Sequence, residues 1–343
     1  MRRCHGQFIS DEVLQRLAAD PQLSQEAREQ AAHTARLNRL FCDIRDQNLA
    51  LSGFLQKNQQ LVELAPHPDV TLFDCRNTQS LPGLHVKDPA QSKDESVQRA
   101  FRETGLMATF LREVFQRNSV DAAGMTLMST VHYGNKYNNA MWNGLQMIYG
   151  DGDGELFIDL TSGMDVIGHE LAHGLTQYTL QLEYDEEPGG LNESLSDCFG
   201  AMFRQWRLKQ DAASADWLIG SDIIGRLTRE RGFTCLRDMA QPDGAHCISS
   251  QPTRHGELKP GQDPHSTSGP LNLAFCTACK LVGGPSWESV GKIWYHVMAH
   301  AGTVPRMGMA QFAARTRATA TELFGARSRA EEAVDAGWDR VGL

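Results

Sequence analysis

The sequence predicts an α+β protein of two lobes, with a mixed, β-rich N-terminal lobe followed by a mainly α-helical C-terminal lobe. The 343 residues exceed what one hydrophobic core usually supports. Residues 125–132 and 146–149 have the β-branched and apolar content of strands. Beyond about Asp216, nearly every apolar stretch has a helical period, including 271–281 and 288–300.

Composition excludes several classes of protein. The chain is 41% hydrophobic and 22% charged, which is typical of a globular protein and not of a disordered, fibrous or membrane protein. A net charge of -9 argues against a nucleic-acid partner, which normally binds a basic surface. Apolar runs stay well short of the ~18 residues that a membrane helix requires. We expect neither nucleic acid nor a membrane as a partner.

The N-terminal sequence does not have the pattern of a secretory signal, because Asp11 and Glu12 come before any apolar h-region. We therefore expect synthesis in the cytoplasm, with release, if any, by a non-classical route. Eight cysteines are too sparse for a disulfide scaffold and are expected to be mostly reduced. Cys276 and Cys279 have redox or metal spacing, but their apolar surroundings favour two buried helical thiols.

Residues 10–55 form a compositionally separate segment. They are charged, rich in Gln, Ala and Leu, and have apolar residues at helical spacing. Glycine is absent between Gly6 and Gly53. This pattern predicts a small helical appendage ahead of the two lobes.

A metal-binding pattern lies within a helical stretch, where His169, Glu170 and His173 form H-E-x-x-H. A separation of four residues places both imidazoles on one helix face and Glu170 beside any water bound there. On its own, the motif is equally compatible with a coincidental surface pattern.

A second helical stretch supplies Glu193 and Asp197, with Glu193 following His173 by 20 positions. Two histidines and one glutamate leave the fourth position of a zinc ion open for water. Asp197 is suited to accept the free imidazole N–H of a ligating histidine. The alternative is a solvated acidic helix face.

These motifs together resemble the thermolysin (M4) family of zinc metallopeptidases, and the resemblance runs in order from about His132 to the C terminus. H-E-x-x-H is followed by N-E-x-x-S-D at 192–197, with 19 residues between His173 and Glu193. The remaining motifs resemble the family's substrate-edge strand, the turn after it, its arginine motif and its distal-histidine motif, at 137–144, 149–154, 236–239 and 265–269.

The resemblance implies a thermolysin-like two-lobed fold and a neutral metalloendopeptidase that hydrolyses proteins or peptides. His169, His173 and Glu193 would hold Zn²⁺, and Glu170 would be the catalytic base. Tyr184 and His265 would donate hydrogen bonds to the oxyanion, and Asp263 would orient the His265 ring.

The resemblance also implies how a substrate binds. Arg237 would hold a substrate carbonyl, while Asn139 and the Ala140 backbone would align the peptide as an added strand. Five apolar residues would line the S1′ pocket and favour cleavage before a bulky apolar residue: Phe157, Leu160, Val166, Ile219 and Leu236. Plain core packing is the alternative for each of the five.

The family's double calcium site is only partly retained. Asp165 and Asp216 remain, whereas Arg204, Leu218 and Ser221 occupy other matching positions. A cation that faces the surviving carboxylates can neutralise them without a metal. We therefore expect calcium binding at this cluster to be lost or much weakened.

The short N-terminal appendage resembles that of protealysin-like peptidases and implies a precursor inhibited by its own propeptide. The expected segments are a helical propeptide at 1–55, an N-terminal catalytic lobe at 56–184 and an α-helical C-terminal lobe at 185–343. We expect residues 4–10 to reach the cleft. Cys4 is then a candidate zinc ligand in the precursor. The alternative interpretation is a reactive surface thiol that binds no metal.

Two other functions remain open from the residues. A zinc aminopeptidase shares two histidines and a distant glutamate, but it needs an acidic subsite for a free amine, and no such motif is recognisable. A non-catalytic zinc-stabilised protein normally uses four protein ligands and has no use for Glu170.

Overall fold

The computed structural model describes residues 6–57 and 69–343, and among residues 42–57 it describes the side chains of Arg45 and Asn48 only. The predicted α+β class is confirmed, and the chain divides into two compact units. Unit 1 comprises Met1–Gly174 and Asp222–Thr234, and unit 2 comprises Leu175–Ser221 and Cys235–Leu343. The predicted segment boundaries at 55 and 184 stay predictions.

The N-terminal helical segment belongs to unit 1 and forms helices α1 (Asp11–Ala19) and α2 (Gln25–Lys57). The Ser10 hydroxyl caps α1 by accepting a hydrogen bond from the Val13 amide at 3.2 Å. Val13, Leu14 and Leu17 recur at helical spacing and are buried, which gives α1 one apolar face. The predicted helical structure of this segment is therefore confirmed.

Unit 1 contains a five-stranded sheet with the order β2-β1-β3-β5-β4. Its strands are β1 (Val70–Asp74), β2 (Leu84–His85), β3 (Leu127–Val131), β4 (Ala140–Trp142) and β5 (Gln146–Tyr149). The three central strands are parallel, whereas β2 and β4 pair antiparallel at the two margins. Strand β4 therefore has β5 on one side, and its other edge pairs with Gln7 of the N-terminal segment.

The helices of unit 1 include the helical stretch that was predicted to carry H-E-x-x-H. They are α3 (Glu95–Phe115), α4 (Met164–Gln177) and α6 (Arg226–Glu230). The last turn of α4 belongs to unit 2, and the chain returns to unit 1 at Asp222, before α6. Asp94 starts α3 by accepting hydrogen bonds from the amides of Ser96 and Val97. The sequence 164–177 forms a helix because its apolar residues recur at three- and four-residue spacing.

Unit 2 is mainly helical, as predicted. Its helices are α5 (Glu186–Leu208), α7 (Pro264–Thr267), α8 (Gly269–Val282), α9 (Val290–His300), α10 (Met309–Phe324) and α11 (Arg329–Val341), and a small sheet pairs β6 (Leu218–Ile219) with β7 (Arg237–Asp238). Its core contains stacked Trp294 and Trp338 rings whose centroids lie 5.5 Å apart. The Phe312 ring packs edge-on against Trp294.

Short 3₁₀ turns complete the described chain at Pro89–Gln91, Leu160–Ser162, Ser221–Ile223 and His255–Glu257. Cys276 and Cys279 lie in α8 as buried free thiols, which confirms that prediction. In the described ranges, every helix is too short or too polar to cross a membrane.

Candidate metal centre and catalytic residues

Helix α4 brings the two histidines of H-E-x-x-H together. The Nε2 atoms of His169 and His173 lie 3.1 Å apart, and their rings meet edge-on with centroids 4.7 Å apart. Both histidines and Glu170 are at most 1% exposed. This burial excludes the alternative that the motif is a coincidental pattern on the protein surface. Two nitrogens bound to one tetrahedral zinc ion would lie about 3.3 Å apart, given Zn–N bonds of about 2.0–2.1 Å. The imidazole pair fits such an ion.

Gly174 explains how α4 packs so closely against the edge strand β4. A Cβ atom at this position would lie 3.3 Å from the nearest ring atom of Trp142. Because Gly174 directly follows His173, a larger side chain here would push apart the helix and the strand. The glycine therefore helps to hold the histidine pair near the edge strand.

Asn139 and Ala140, the residues predicted to align a substrate, bind a segment of the same chain. The Asn139 side chain accepts a hydrogen bond from the Ile9 amide and donates one to the Ile9 carbonyl, both at 2.8 Å. The Ala140 carbonyl accepts from the Phe8 amide at 3.0 Å, and Gln7 pairs antiparallel with Met141. Residues 6–9 thus lie along β4 as an added strand.

Phe8 is a contact that the sequence analysis did not assign. Its ring meets the His169 ring edge-on, with centroids 5.1 Å apart, and its side chain is fully buried. The sequence analysis expected residues 4–10 to reach the cleft, but no spacing in the sequence identifies Phe8 as the residue that contacts His169. Cys4, the predicted zinc ligand of the precursor, lies outside the described residues.

In unit 2, Glu193 and Asp197 lie on one face of α5 and are at most 1% exposed. The alternative interpretation of these two residues, a solvated acidic helix face, is therefore wrong. Asp197 accepts hydrogen bonds from Arg237 Nε at 2.9 Å and Nη2 at 2.7 Å, and from Asn272 Nδ2 at 2.8 Å. The sequence analysis assigned Arg237 only to binding of a substrate carbonyl. It did not identify Asn272, because an asparagine in an apolar helix is not distinguishable from ordinary packing by sequence alone.

His265 lies among three other predicted residues of unit 2. Its Nδ1 is 2.8 Å from Asp263 Oδ1, its Nε2 is 3.4 Å from Glu193 Oε2, and its ring meets the Tyr184 ring edge-on at 6.4 Å. Burial alone would lower the pKa of His265, but the charges of Glu193 and Asp263 raise it to about 9. A protonated His265 can donate a hydrogen bond to a developing negative charge.

Asp263 also has a shifted pKa. Burial alone would raise it, but the His265 charge and hydrogen bonds from the His265 ring and amide lower the pKa of this carboxyl. Because Asp263 stays ionised, it can hold His265 in the orientation that the sequence predicted. Its catalytic contribution stays a prediction.

The five residues predicted to line the S1′ pocket are all nearly inaccessible. Phe157, Leu160 and Val166 are buried in unit 1, and Ile219 and Leu236 are buried in unit 2. The Leu236 amide donates to the Ile219 carbonyl at 2.9 Å. Burial agrees with a pocket lining and with core packing, so this assignment stays a prediction.

The residues at the expected calcium positions include an ion pair. Arg204 Nη1 lies 2.8 Å and 3.0 Å from the two carboxylate oxygens of Asp216, so an arginine neutralises one of the two surviving carboxylates. The loss of calcium binding stays a prediction.

Comparison with known proteins assigns the family. Residues 65–177 match the catalytic domain of thermolysin metallopeptidases, and residues 180–343 match their α-helical domain. The chain is 37% identical over 284 residues to an extracellular metalloprotease of Pectobacterium carotovorum subsp. carotovorum, with 80% of each protein covered. The chain belongs to the thermolysin family of metallopeptidases. It is therefore a metalloendopeptidase with the thermolysin-like fold that its motifs implied.

Two further relatives agree with this assignment. Protease PrtS of Photorhabdus sp. (strain Az29) is 36% identical over 287 residues, which cover 80% of this chain and 76% of that protein. The solved structure of the precursor of protealysin, a metalloproteinase from Serratia proteamaculans, matches with a TM-score of 0.83 and 32% identity over 98% of this chain and 99% of that one. The thermolysin family uses zinc, and the His169–His173 pair of unit 1 is a candidate pair of zinc ligands.

Proposed function

We propose that this chain is a zinc-dependent neutral endopeptidase, made as a precursor that its own N-terminal segment keeps inactive. The observation that carries the proposal is the buried His169–His173 pair, with its 3.1 Å Nε2–Nε2 distance, on a helix that also carries Glu170. Glu193 is the proposed third zinc ligand. Two imidazoles and one carboxylate are the donor set of catalytic zinc sites that keep a position for water.

The chain's own residues divide the work of hydrolysis. When bound, zinc supplies a Lewis acid that polarises the attacked carbonyl and lowers the pKa of the attacking water. Glu170 accepts a proton from that water and delivers it to the leaving amine. His265 and Tyr184 donate hydrogen bonds to the oxyanion.

Substrate is proposed to bind along β4. Asn139 and Ala140 offer hydrogen-bonding groups that any extended peptide can use, because they pair with main-chain atoms. Arg237 would hold a substrate carbonyl. A preference for a bulky apolar residue after the cleaved bond is also proposed. It rests on the five apolar residues assigned to the S1′ pocket: Phe157, Leu160, Val166, Ile219 and Leu236.

The proposed inhibition depends on residues 6–9 and on how firmly α2 holds them. The Asn139 amide has one Oδ1 and one Nδ2, and both bind Ile9, so a substrate strand and residues 6–9 compete for the same atoms. In α2, the buried Leu37 and Phe41 pack in an apolar cluster with Tyr137 and Met141. This apolar contact makes the segment part of the core of unit 1.

A buried polar network adds to that contact. Asn38 of α2 accepts a hydrogen bond from the Tyr137 hydroxyl at 2.7 Å and donates one to Asp11 at 2.8 Å. The Thr34 hydroxyl accepts from the Asn138 amide at 3.2 Å. Steric exclusion by residues 6–9 does not depend on Cys4, and ligation of zinc by Cys4 is a separate proposal.

The test uses processed protein and a peptide blocked at both ends, with a bulky apolar residue after the expected cleavage site. We expect cleavage that a chelator abolishes and zinc restores. Glu170→Gln should keep the zinc but lower turnover by at least ~10²–10⁴, as for loss of a general base. Glu186→Gln, at an exposed position of α5, is the matched control and should keep full activity.

Each alternative gives a different result. A zinc aminopeptidase would cleave only a peptide with a free amine, and a non-catalytic zinc protein would cleave neither peptide while holding the metal. Near-normal activity of Glu170→Gln would contradict the mechanism. Equal cleavage before leucine, glycine and aspartate would remove the S1′ proposal and leave the peptidase intact.

A further inference from the structure

A second group of metal-ligand side chains lies wholly within unit 2, apart from the H-E-x-x-H helix. Cys235, His246 and Cys247 each offer a ligand atom, and these atoms all lie within 4.8 Å of one another. The two cysteines are at most 3% exposed, whereas the His246 side chain is 31% exposed. The group is therefore buried on its sulfur side and open to water on its imidazole side.

The backbone, and not a chance side-chain conformation, brings the two thiols together. After β7 the chain turns, with the Gly244 amide donating to the Gln241 carbonyl at 2.9 Å. Cys247 then lies beside Cys235 as a parallel bridge, and the amide of the next residue donates to the Cys235 carbonyl at 3.0 Å. Hydrogen bonds thus fix the positions from which both side chains start.

The distance between the thiols is compatible with a metal site and not with a formed disulfide. Cys235 Sγ and Cys247 Sγ lie 3.7 Å apart. Two sulfurs on one tetrahedral zinc ion, with Zn–S bonds of about 2.3 Å, lie about 3.8 Å apart. A disulfide needs an S–S distance of about 2.0 Å. The observed spacing therefore fits two thiolates on one ion without movement.

His246 has the support that metal-binding histidines usually have. Its Nε2 lies 3.0 Å from Asp238 Oδ2, which leaves Nδ1 to bind a metal. Asp238 is itself held, because its Oδ1 accepts hydrogen bonds from the amides of Ala240 at 2.7 Å and Gln241 at 3.0 Å. This is the carboxylate–histidine arrangement that fixes the ring orientation of a ligand.

We propose that Cys235, His246 and Cys247 bind a second, thiophilic divalent cation of the zinc class, with water at the exposed fourth position. Binding releases the two thiol protons to solvent, so that two thiolates neutralise the ion and His246 adds an uncharged ligand. The ion closes the loop that carries Arg237, and so fixes the β7 strand from which Arg237 reaches Asp197. Its role is to hold that loop and not to perform hydrolysis.

The test measures the number of zinc ions bound per full-length chain. All proteins carry Cys4→Ser, which removes the thiol that is proposed as a ligand of the catalytic zinc in the precursor. After dialysis against zinc-free buffer, we expect a second zinc ion per chain beyond that of the catalytic site. The double variant Cys235→Ser/Cys247→Ser should lose one ion. The control Cys276→Ser/Cys279→Ser changes two buried thiols of α8 that have no histidine ligand beside them among the described residues, and it should keep both ions.

Cobalt substitution provides a readout that is independent of activity. The proposed catalytic ligands are two histidines and a glutamate, so a thiolate-to-cobalt charge-transfer band in the near ultraviolet reports Cys235 and Cys247 alone. We expect the band in the parent and the α8 control and its absence in the double variant. Asp238→Asn keeps the turn acceptor Oδ1 and should weaken cobalt binding at this site by roughly 10–100-fold.

Three results would overturn the proposal. They are a single zinc ion per chain in the parent, no charge-transfer band in the parent, or a Cys235–Cys247 disulfide that persists in zinc-loaded protein. Should the double variant fail to fold, His246→Gln at the partly exposed position decides the matter. A folded His246→Gln protein that binds cobalt as tightly as the parent contradicts the assigned ligand set.

Discussion

The edge strand β4 and the buried cluster around Asp197 hold their partners by different means. Along β4, residues 6–9 pair with main-chain atoms and with the Asn139 amide, and any extended peptide offers the same groups. Around Asp197, both carboxylate oxygens bind the buried side chains of Arg237 and Asn272. The first region suits the exchange of one strand for another. The second suits a fixed geometry, because separating its charges would leave one of them buried.

The largest effect is expected where a fixed charge loses its partner. Arg237→Met leaves the fully buried Asp197 carboxylate without its guanidinium and should lower the free energy of unfolding by about 3–5 kcal/mol. The matched control is Arg204→Met, which removes a pair whose Asp216 side chain is 42% exposed, and should cost about 1 kcal/mol or less. Urea unfolding measures both. Equal losses would contradict the distinction between a fixed buried pair and a surface pair.

A smaller effect is expected at the network that holds the exchangeable strand. Asn38→Ala removes the partner of the Tyr137 hydroxyl and of Asp11, which should weaken docking of the N-terminal segment by about 1–3 kcal/mol. Initial activity of the intact precursor on a blocked peptide should then rise by roughly 5–150-fold. The control Asn48→Ala loses one partly buried hydrogen bond to the Asn143 carbonyl and should change little. No difference between the two variants would refute the importance of the Asn38 network.

The pH dependence of stability tests a third cluster, in which His132 bridges Asp151 and Asp94. The hydrogen bond with Asp151 and the nearby carboxylate charges outweigh burial and raise the pKa of His132 to about 9. Because the folded pKa is raised, this contribution is fully present below the ordinary value of about 6.5 and is lost as the pH rises through about 9. The unfolding free energy of the parent should therefore fall more steeply over this range than that of His132→Gln. Parallel curves would show that the cluster does not stabilise the fold through this charge.

The smallest effect is expected at the rim of the N-terminal segment, where Asp20 pairs with Arg231 at 2.6 Å. Exposed ion pairs contribute roughly 0–1 kcal/mol, so Asp20→Asn should raise precursor activity by less than about fivefold. The increase should diminish at high salt, where the parent pair is already screened. An increase as large as that of Asn38→Ala would mean that rim charges, and not the buried network, hold the segment.

The sequence was most informative where function requires a regular spacing. The four-residue separation of His169 and His173 specifies one helix face, so the histidine pair was predictable. The helical period of unit 2 was predictable from local pattern for the same reason, whereas edge strand β4 was expected only from the resemblance of 137–144 to the family's substrate-edge strand. The contacts of Phe8 with His169 and of Asn272 with Asp197 were not predictable, because they join residues that are distant in the chain and have no fixed spacing. Burial of Glu193 likewise depends on tertiary packing that periodicity alone does not give.

Residues 6–9 are proposed to occupy the strand edge that a substrate needs. The direct test measures hydrolysis of one blocked peptide by intact full-length protein, by Cys4→Ser and by processed protein, and verifies chain length by mass spectrometry before and after the assay. We expect both intact proteins to be inactive and processing to restore activity. Adding residues 1–57 as a separate peptide should then inhibit the processed enzyme in competition with substrate. Full activity of the intact chain, with no cleavage of its N-terminal segment, would show that residues 6–9 do not block substrate binding.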